Sequence, residues 1–253
     1  MNLFARNFGA EGKPLVILHG LFGQSDNWTS LARQWSSAFR VFTIDQRNHG
    51  QSAHRPEMSY PLMAADLYET IEALGLDRIG LIGHSMGGKT AMQFALNHPE
   101  RIEKMLIADI GPRFYAPHHQ QIIEGLEAVQ PESLPDRATA ETRLQTFVPD
   151  FGTRQFLLKN LVRREEGGFA WRFNLEAIKT HISEIGKALE PEICDTETLF
   201  VRGGKSRYIL DTDWPSIQAQ FPNAQLETIE AAGHWLHAEQ PAAFSAIVTE
   251  FFS

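Results

Sequence analysis

Short apolar runs alternate along this chain with longer stretches whose apolar residues recur at helical spacing. Leu15-Val-Ile-Leu18, Val41-Phe-Thr-Ile44, Ile79-Gly-Leu-Ile82, Met105-Leu-Ile-Ala108 and Leu199-Phe-Val201 are each bounded by turn-forming residues. Such compact apolar runs are what strands covered on both faces of a parallel sheet require. Leu3 to Phe8 and Leu226 to Ile229 read as further, half-exposed strands. Between them, Pro61 to Leu74, Met86 to Asn97 and Pro241 to Phe252 are helical in pattern, and Leu62, Ala65, Leu67, Ile71 and Leu74 are the expected core stripe of the first. Strand and helix in alternation predict an α/β fold, a mostly parallel, doubly wound sheet with helices on both faces.

The alternation stops between Pro112 and Pro191. Helical patterns are expected there over Gln120–Val129, Thr139–Phe147, Arg154–Val162 and Asn174–Ile185, with no core strand and with Gly167-Gly168 as a mobile joint. A connection of roughly 80 residues needs structure of its own. The predicted organisation is therefore a core formed by residues 1–111 and 192–253, with residues 112–191 inserted as a helical cap, or lid. Open α/β sheets hold their ligands at the carboxyl ends of their strands, so the cap is expected over that edge.

Composition narrows the function classes. The 253 residues carry a net charge of −8, with the acids spread along the chain, which argues against nucleic acid or an anionic membrane as partner. A single cysteine, Cys194, allows no intrachain disulfide, and no run approaches the ~18 apolar residues of a membrane span. Residues 1–13 lack the basic and apolar regions of a secretory signal, so a cytoplasmic location is expected.

Gly83-His-Ser-Met-Gly87 sits between the strand Ile79–Ile82 and the helix from Met86, the setting of a nucleophile elbow. Small residues two before and two after Ser85 permit the sharp turn that exposes its hydroxyl at a helix N-terminus, where developing negative charge is favoured. The same residues also read Gly83-x-x-x-x-Gly88-Lys89-Thr90, a P-loop pattern, and Met105-Leu-Ile-Ala-Asp109 resembles its Mg²⁺-binding strand. That rival predicts a bound nucleotide, but it leaves the His19-Gly20 loop and the late Gly233-His234 without a purpose.

A nucleophilic serine needs a base, and the base an orienting acid. His234 follows the last strand and precedes the final helix, the position required of the base. His237 has no acid or cysteine at ligand spacing and is read as a helix-surface residue, with no metal site expected. For the acid, the loop after Leu199–Val201 reads Gly203-Gly-Lys-Ser206, so Asp109, at the end of the preceding strand, is the choice. Ser206 either hydrogen-bonds Asp109, supports the imidazole, or is an ordinary turn serine. Asp211 and Asp213 are expected to cap a helix near Trp214. The amides of Leu21 and Met86 are the expected oxyanion hole, and Leu21, Phe22 and Met86 are expected to line an apolar acyl site.

These motifs resemble the α/β-hydrolase superfamily. With Asp45-x-Arg-Asn-His-Gly50, Gln155-Phe-Leu-Leu-Lys159, Trp171-Arg-Phe-Asn174 and Gly233-His-Trp-x-His237, they resemble more narrowly the YbfF-type bacterial esterases. The resemblance implies hydrolysis of short acyl esters, or of acyl thioesters, without a cofactor, and it places the acid on the earlier strand, at Asp109. It makes Lys89 and Thr90 ordinary helix residues. Asp45 and Arg47 are read as staples of their loop, and His118-His119 as solvated. Trp171 and Phe173 either wall the pocket or pack the cap on itself, and Trp235 is expected at the pocket beside His234. A non-catalytic sensor with this fold and a cofactor-free perhydrolase remain as alternatives. A dehalogenase would carry aspartate in place of Ser85.

Overall fold

The computed structural model describes residues 1–253. Its main sheet has seven strands: β1 (Ala5–Phe8), β2 (Lys13–Leu18), β3 (Phe39–Ile44), β4 (Ile79–His84), β5 (Ile102–Ala108), β8 (Thr198–Gly203) and β9 (Ala224–Ile229), in the spatial order β1-β3-β2-β4-β5-β8-β9. Only β1, paired with β3, runs antiparallel; every other pair is parallel. Successive residues of β2 enter opposite cores, Val16 and Leu18 on one face and Leu15 and Ile17 on the other. That is why its apolar run is unbroken rather than alternating.

Helices α1 (Thr29–Trp35) and α11 (Pro241–Phe252) pack on the second of these faces, and α2 (Tyr60–Ala73) and α3 (Met86–Asn97) on the first. In α2 the buried stripe is Met63, Ala64, Leu67, Thr70 and Ile71, while Leu62 and Ala65 face solvent, a rotation from the expected set. The shift has a cause: Asp66 is buried on the core side because it pairs with buried Arg47, at 2.5 and 2.9 Å. Neither α1 nor the one-turn helix α10 (Leu236–Glu239) stands out in the sequence, each being too short for a periodic signal.

Strand β2 leads outward to β3, whereas β4 leads through α3 to β5 on the other side. The strand order therefore reverses between β2 and β4, and their carboxyl ends, Leu18 and Gly83, are register partners. A reversal of this kind opens a crevice above the sheet, where ligands bind in open α/β folds.

The segment between β5 and β8 adds no strand to the main sheet. It holds α4 (Gln120–Val129), α5 (Arg137–Gln145), α6 (Phe151–Leu158), a two-stranded antiparallel ribbon of β6 (Leu161–Arg163) and β7 (Phe169–Trp171), then α7 (Leu175–Thr180) and α8 (Ile182–Gly186). The helix expected over Arg154–Val162 begins earlier, because the Asp150 carboxylate accepts the Thr153 amide at 2.7 Å, and it ends before the ribbon. Gly167 and Gly168, both at positive φ, form the ribbon's turn. The helix expected over Asn174–Ile185 divides at His181, whose backbone is not helical. No helix in the molecule is long and apolar enough to cross a membrane.

Candidate active site

The elbow is built by close approach of backbone. A Cβ at Gly83 would lie 2.3 Å from the Gly87 carbonyl oxygen, and one at Gly87 would lie 2.5 Å from that of Leu18. Between them Ser85 adopts φ 53° and ψ −119°, a left-handed conformation that costs a serine strain on the order of 1–3 kcal/mol. The result is a hydroxyl held at the N-terminus of α3.

His234 Nε2 lies 3.0 Å from Ser85 Oγ, and His234 Nδ1 lies 2.7 Å from Asp109 Oδ2. Asp109 is fully buried and also sits at positive φ, 52°. Its carboxylate accepts a second bond at Oδ2 from the Ser206 hydroxyl (2.5 Å) and one at Oδ1 from the Gly203 amide (3.1 Å). Three hydrogen bonds, to His234, Ser206 and Gly203, thus fix the orientation of this buried carboxylate. The structure thus brings Ser85, His234, Asp109 and Ser206 into one connected chain. Of the alternatives for Ser206, it occupies the place of a donor to Asp109.

Leu21 and Met86 both line the cavity at Ser85. The Leu21 amide donates to no group of the molecule, and the Met86 amide is the first of α3, with no preceding helical carbonyl to meet. The loop carrying Leu21 is shaped by two buried histidines. Burial lowers the His19 pKa to about 4 and that of His49 to about 3, so both are neutral at pH 7. His19 Nδ1 then donates to the Gly20 carbonyl (2.8 Å) while Nε2 accepts the Gln46 amide (3.0 Å). His49 Nδ1 likewise donates to the Arg47 carbonyl (2.9 Å), and its Nε2 accepts the Phe22 amide (3.2 Å), holding Phe22 at φ 59°. Asp45 accepts the amides of Ser25 (2.5 Å) and Gln51 (2.8 Å). The Asp45-to-Gly50 loop therefore staples backbone, and its histidine holds the turn at Phe22, next to Leu21.

Several residues sit where the sequence did not put them. His237 is buried rather than on a helix surface, because its ring stacks on Trp28 (4.1 Å, 11° between planes). Burial lowers its pKa to about 3. His119 is half-buried rather than solvated throughout: it packs edge-on toward Phe22 at 6.4 Å, and burial lowers its pKa to about 3, while His118 is exposed. Asp213 precedes the helix α9 (Trp214–Gln220), but its carboxylate turns back to the Leu210 amide and to Arg113 rather than capping that helix. Trp171 and Phe173 stack on one another (5.3 Å, 11°), and Phe173 braces Phe22 (5.3 Å). Neither lines the two cavities that meet at Ser85, whereas Phe22 and Trp235 line the larger.

Two contributors escaped the sequence reading. Tyr208 stacks on His234 (4.0 Å, 18°). His84, inside the elbow itself, is fully buried and held neutral by that burial, so its Nε2–H donates to the His234 carbonyl at 2.9 Å. The pattern Gly-His-Ser marks the position of His84, but only the fold shows which loop it reaches.

The P-loop reading fails on side-chain direction. Lys89 Nζ donates to the carbonyls of Arg113 (2.8 Å) and Lys187, and Thr90 Oγ1 to that of Met86 (3.1 Å), so neither faces a phosphate site in the turn. No group of three or more His, Cys, Asp or Glu side chains is placed to hold a metal ion.

Comparison with known proteins agrees with this architecture. The family model described as alpha/beta hydrolase fold matches residues 13–241. The chain is 41% identical over 249 residues to the sn-1-specific diacylglycerol lipase ABHD11 of Mus musculus, covering 94% of this chain and 80% of that one. It is 35% identical to Esterase YbfF of Escherichia coli K12, covering 96% and 94%. The solved structure of a marine microorganism esterase superposes with a TM-score of 0.97 at 43% identity, covering 99% of each chain. The chain belongs to the α/β-hydrolase fold family, and within it is a carboxylic ester hydrolase.

Proposed function

We propose that this protein cleaves small acyl esters by two-step acyl transfer, with Ser85 as nucleophile, His234 as general base and acid, and Asp109 as the orienting carboxylate. The carrying observation is the unbroken chain Ser85 Oγ–His234 Nε2 (3.0 Å) and His234 Nδ1–Asp109 Oδ2 (2.7 Å) at the crevice of the sheet.

Asp109 fixes the tautomer with the proton on Nδ1, which leaves Nε2 free to accept one. Ser85 Oγ bonds to the substrate's carbonyl carbon as its proton passes to His234 Nε2. The carbonyl electron pair moves onto oxygen, where the Leu21 and Met86 amides receive it. Each such donor is worth on the order of 10²–10³ in rate where one has been removed from a comparable site. Collapse of this intermediate breaks the bond to the leaving group, whose oxygen takes the proton from Nε2. Water then attacks the acyl-enzyme, giving its proton to Nε2; the released Ser85 oxygen takes that proton back, and the carboxylic acid departs. A thioester would follow the same steps with a thiol leaving.

Ser206 and Gly203 keep Asp109 oriented, and His84 holds the backbone of His234 in place. The insertion between β5 and β8 acts as a cap whose helices supply walls to the crevice. A nucleotide-binding reading has no support once Lys89 and Thr90 point elsewhere. A sensor without catalysis would have no use for a serine, an imidazole and a carboxylate in bonded sequence. Turnover of p-nitrophenyl acetate tests the proposal: the wild type hydrolyses it, and Ser85→Ala abolishes hydrolysis with an unchanged circular dichroism spectrum. Undiminished hydrolysis by Ser85→Ala overturns it.

A further inference from the structure

Two cavities of unequal size meet at Ser85. One is small and mainly apolar, with a free volume of about 30 Å³, walled in part by Tyr60, Met86, Ile110, Ile182 and Ile185. The other has about 530 Å³ and is lined by His234, Trp235, Phe156, Gln155 and Lys159 among others. Leu21, Ser85, His118, His119 and Tyr208 line both; Met86 lines only the small one, and His234 only the large one.

This asymmetry, taken with the serine-hydrolase reading on which it rests, orients the substrate. The leaving oxygen must take its proton from His234 Nε2, so the leaving group occupies the cavity that His234 lines. The acyl chain departs from the carbonyl carbon on the other side, into the small cavity beside Met86. We propose that Ile182 and Ile185 of α8 are the residues that limit the acyl group to two or three carbons, while the large cavity admits bulky leaving groups. A water-sized group needs roughly 10–15 Å³ of such volume, so about 30 Å³ holds on the order of two of them.

The short wall is fixed as well as small. The Tyr60 hydroxyl donates to the Ile185 carbonyl at 2.7 Å, and the Tyr115 amide to that of Gly186 at 2.8 Å. Lys89 Nζ, reaching up from α3, donates to the Lys187 carbonyl. Core helices α2 and α3 thereby hold α8 at its end, so a longer chain meets a wall that is tied to the core. Forcing extra methylenes into such packing costs on the order of 10- to 100-fold in rate constant ratio.

The experiment measures kcat/KM for wild type, Ile182→Ala, Ile185→Ala and Phe156→Ala across two substrate series. One varies the acyl chain from acetyl to octanoyl on p-nitrophenol; the other keeps acetyl and varies the leaving group from p-nitrophenol to larger aryl alcohols. Wild type is expected to fall about 10- to 100-fold from propionyl to hexanoyl, with at least one isoleucine variant recovering most of that loss and neither altering the leaving-group series. Phe156→Ala is expected to change the leaving-group series alone. Fluorophosphonate labelling of each variant verifies that its site is assembled. Equal turnover of acetyl and octanoyl esters by wild type overturns the proposal, as does a full set of labelled variants with unchanged chain-length profiles. Loss of both turnover and labelling in the wild type overturns the serine-hydrolase reading beneath it.

Discussion

The phenol ring of Tyr208 lies 4.0 Å from the imidazole of His234, within 18° of parallel. An aromatic face at that distance favours the imidazolium over the neutral ring. His234 becomes an imidazolium in the proposed transition state, so the stacking belongs to the chemistry as well as to packing. Replacing Tyr208 by leucine is expected to lower kcat about 2- to 5-fold. Tyr208→Phe should restore kcat, and steady-state kinetics of the three proteins check this.

Ser206 and His234 share one oxygen of Asp109. Removing the hydroxyl in Ser206→Ala strips a charged acceptor of one bond, worth about 1.5–3 kcal/mol, so kcat should fall on the order of 10- to 100-fold. Asp109→Asn removes the tautomer control itself and should cost on the order of 10⁴. Steady-state kinetics of both variants test the ranking, and Ser206→Ala proving the worse would make it wrong.

His84 connects the elbow to the base loop through a single hydrogen bond. Its replacement by phenylalanine keeps the buried ring and loses the donor, at about 0.5–1.5 kcal/mol. The expected effect is a fall in kcat of roughly 2- to 10-fold with KM unchanged. A matching rise in KM would show that the bond shapes the pocket rather than the base.

Much of the candidate site is legible in the sequence, and the reasons differ by residue. Gly83 and Gly87 are legible because backbone contact at 2.3 and 2.5 Å excludes any side chain there, so the motif is a steric necessity. The core strands are legible because both faces are buried. His237 was misjudged because its surroundings come from Trp28, more than two hundred residues earlier, which no local pattern records. Trp171 and Phe173 have the composition of a pocket wall, but they spend it on each other and on Phe22. The cap's helix ends were misplaced where a side-chain cap such as Asp150 or a glycine turn overrides helical periodicity.

Five histidines, His19, His49, His84, His119 and His237, have pKa values lowered by burial, four of them to about 3 or 4. Unfolded histidine titrates near 6.5, so below that pH the unfolded chain binds more protons than the folded one. Stability contributed by these neutral rings is therefore present above about pH 6.5 and is lost as pH falls toward about 3–4, by up to about 1.4 kcal/mol per pH unit for each ring. Urea midpoints between pH 7.5 and about 4.5 should decline accordingly. His237→Phe, which keeps the stacking on Trp28, should flatten the decline by about one proton. A flat wild-type profile would mean these rings are already accessible to protons in the folded state.

The most direct test is to react the protein with a fluorophosphonate and locate the adduct by peptide mass spectrometry. The account predicts one adduct, on Ser85, formed at a rate that collapses in His234→Ala. An adduct on another residue, or a rate indifferent to His234, contradicts it.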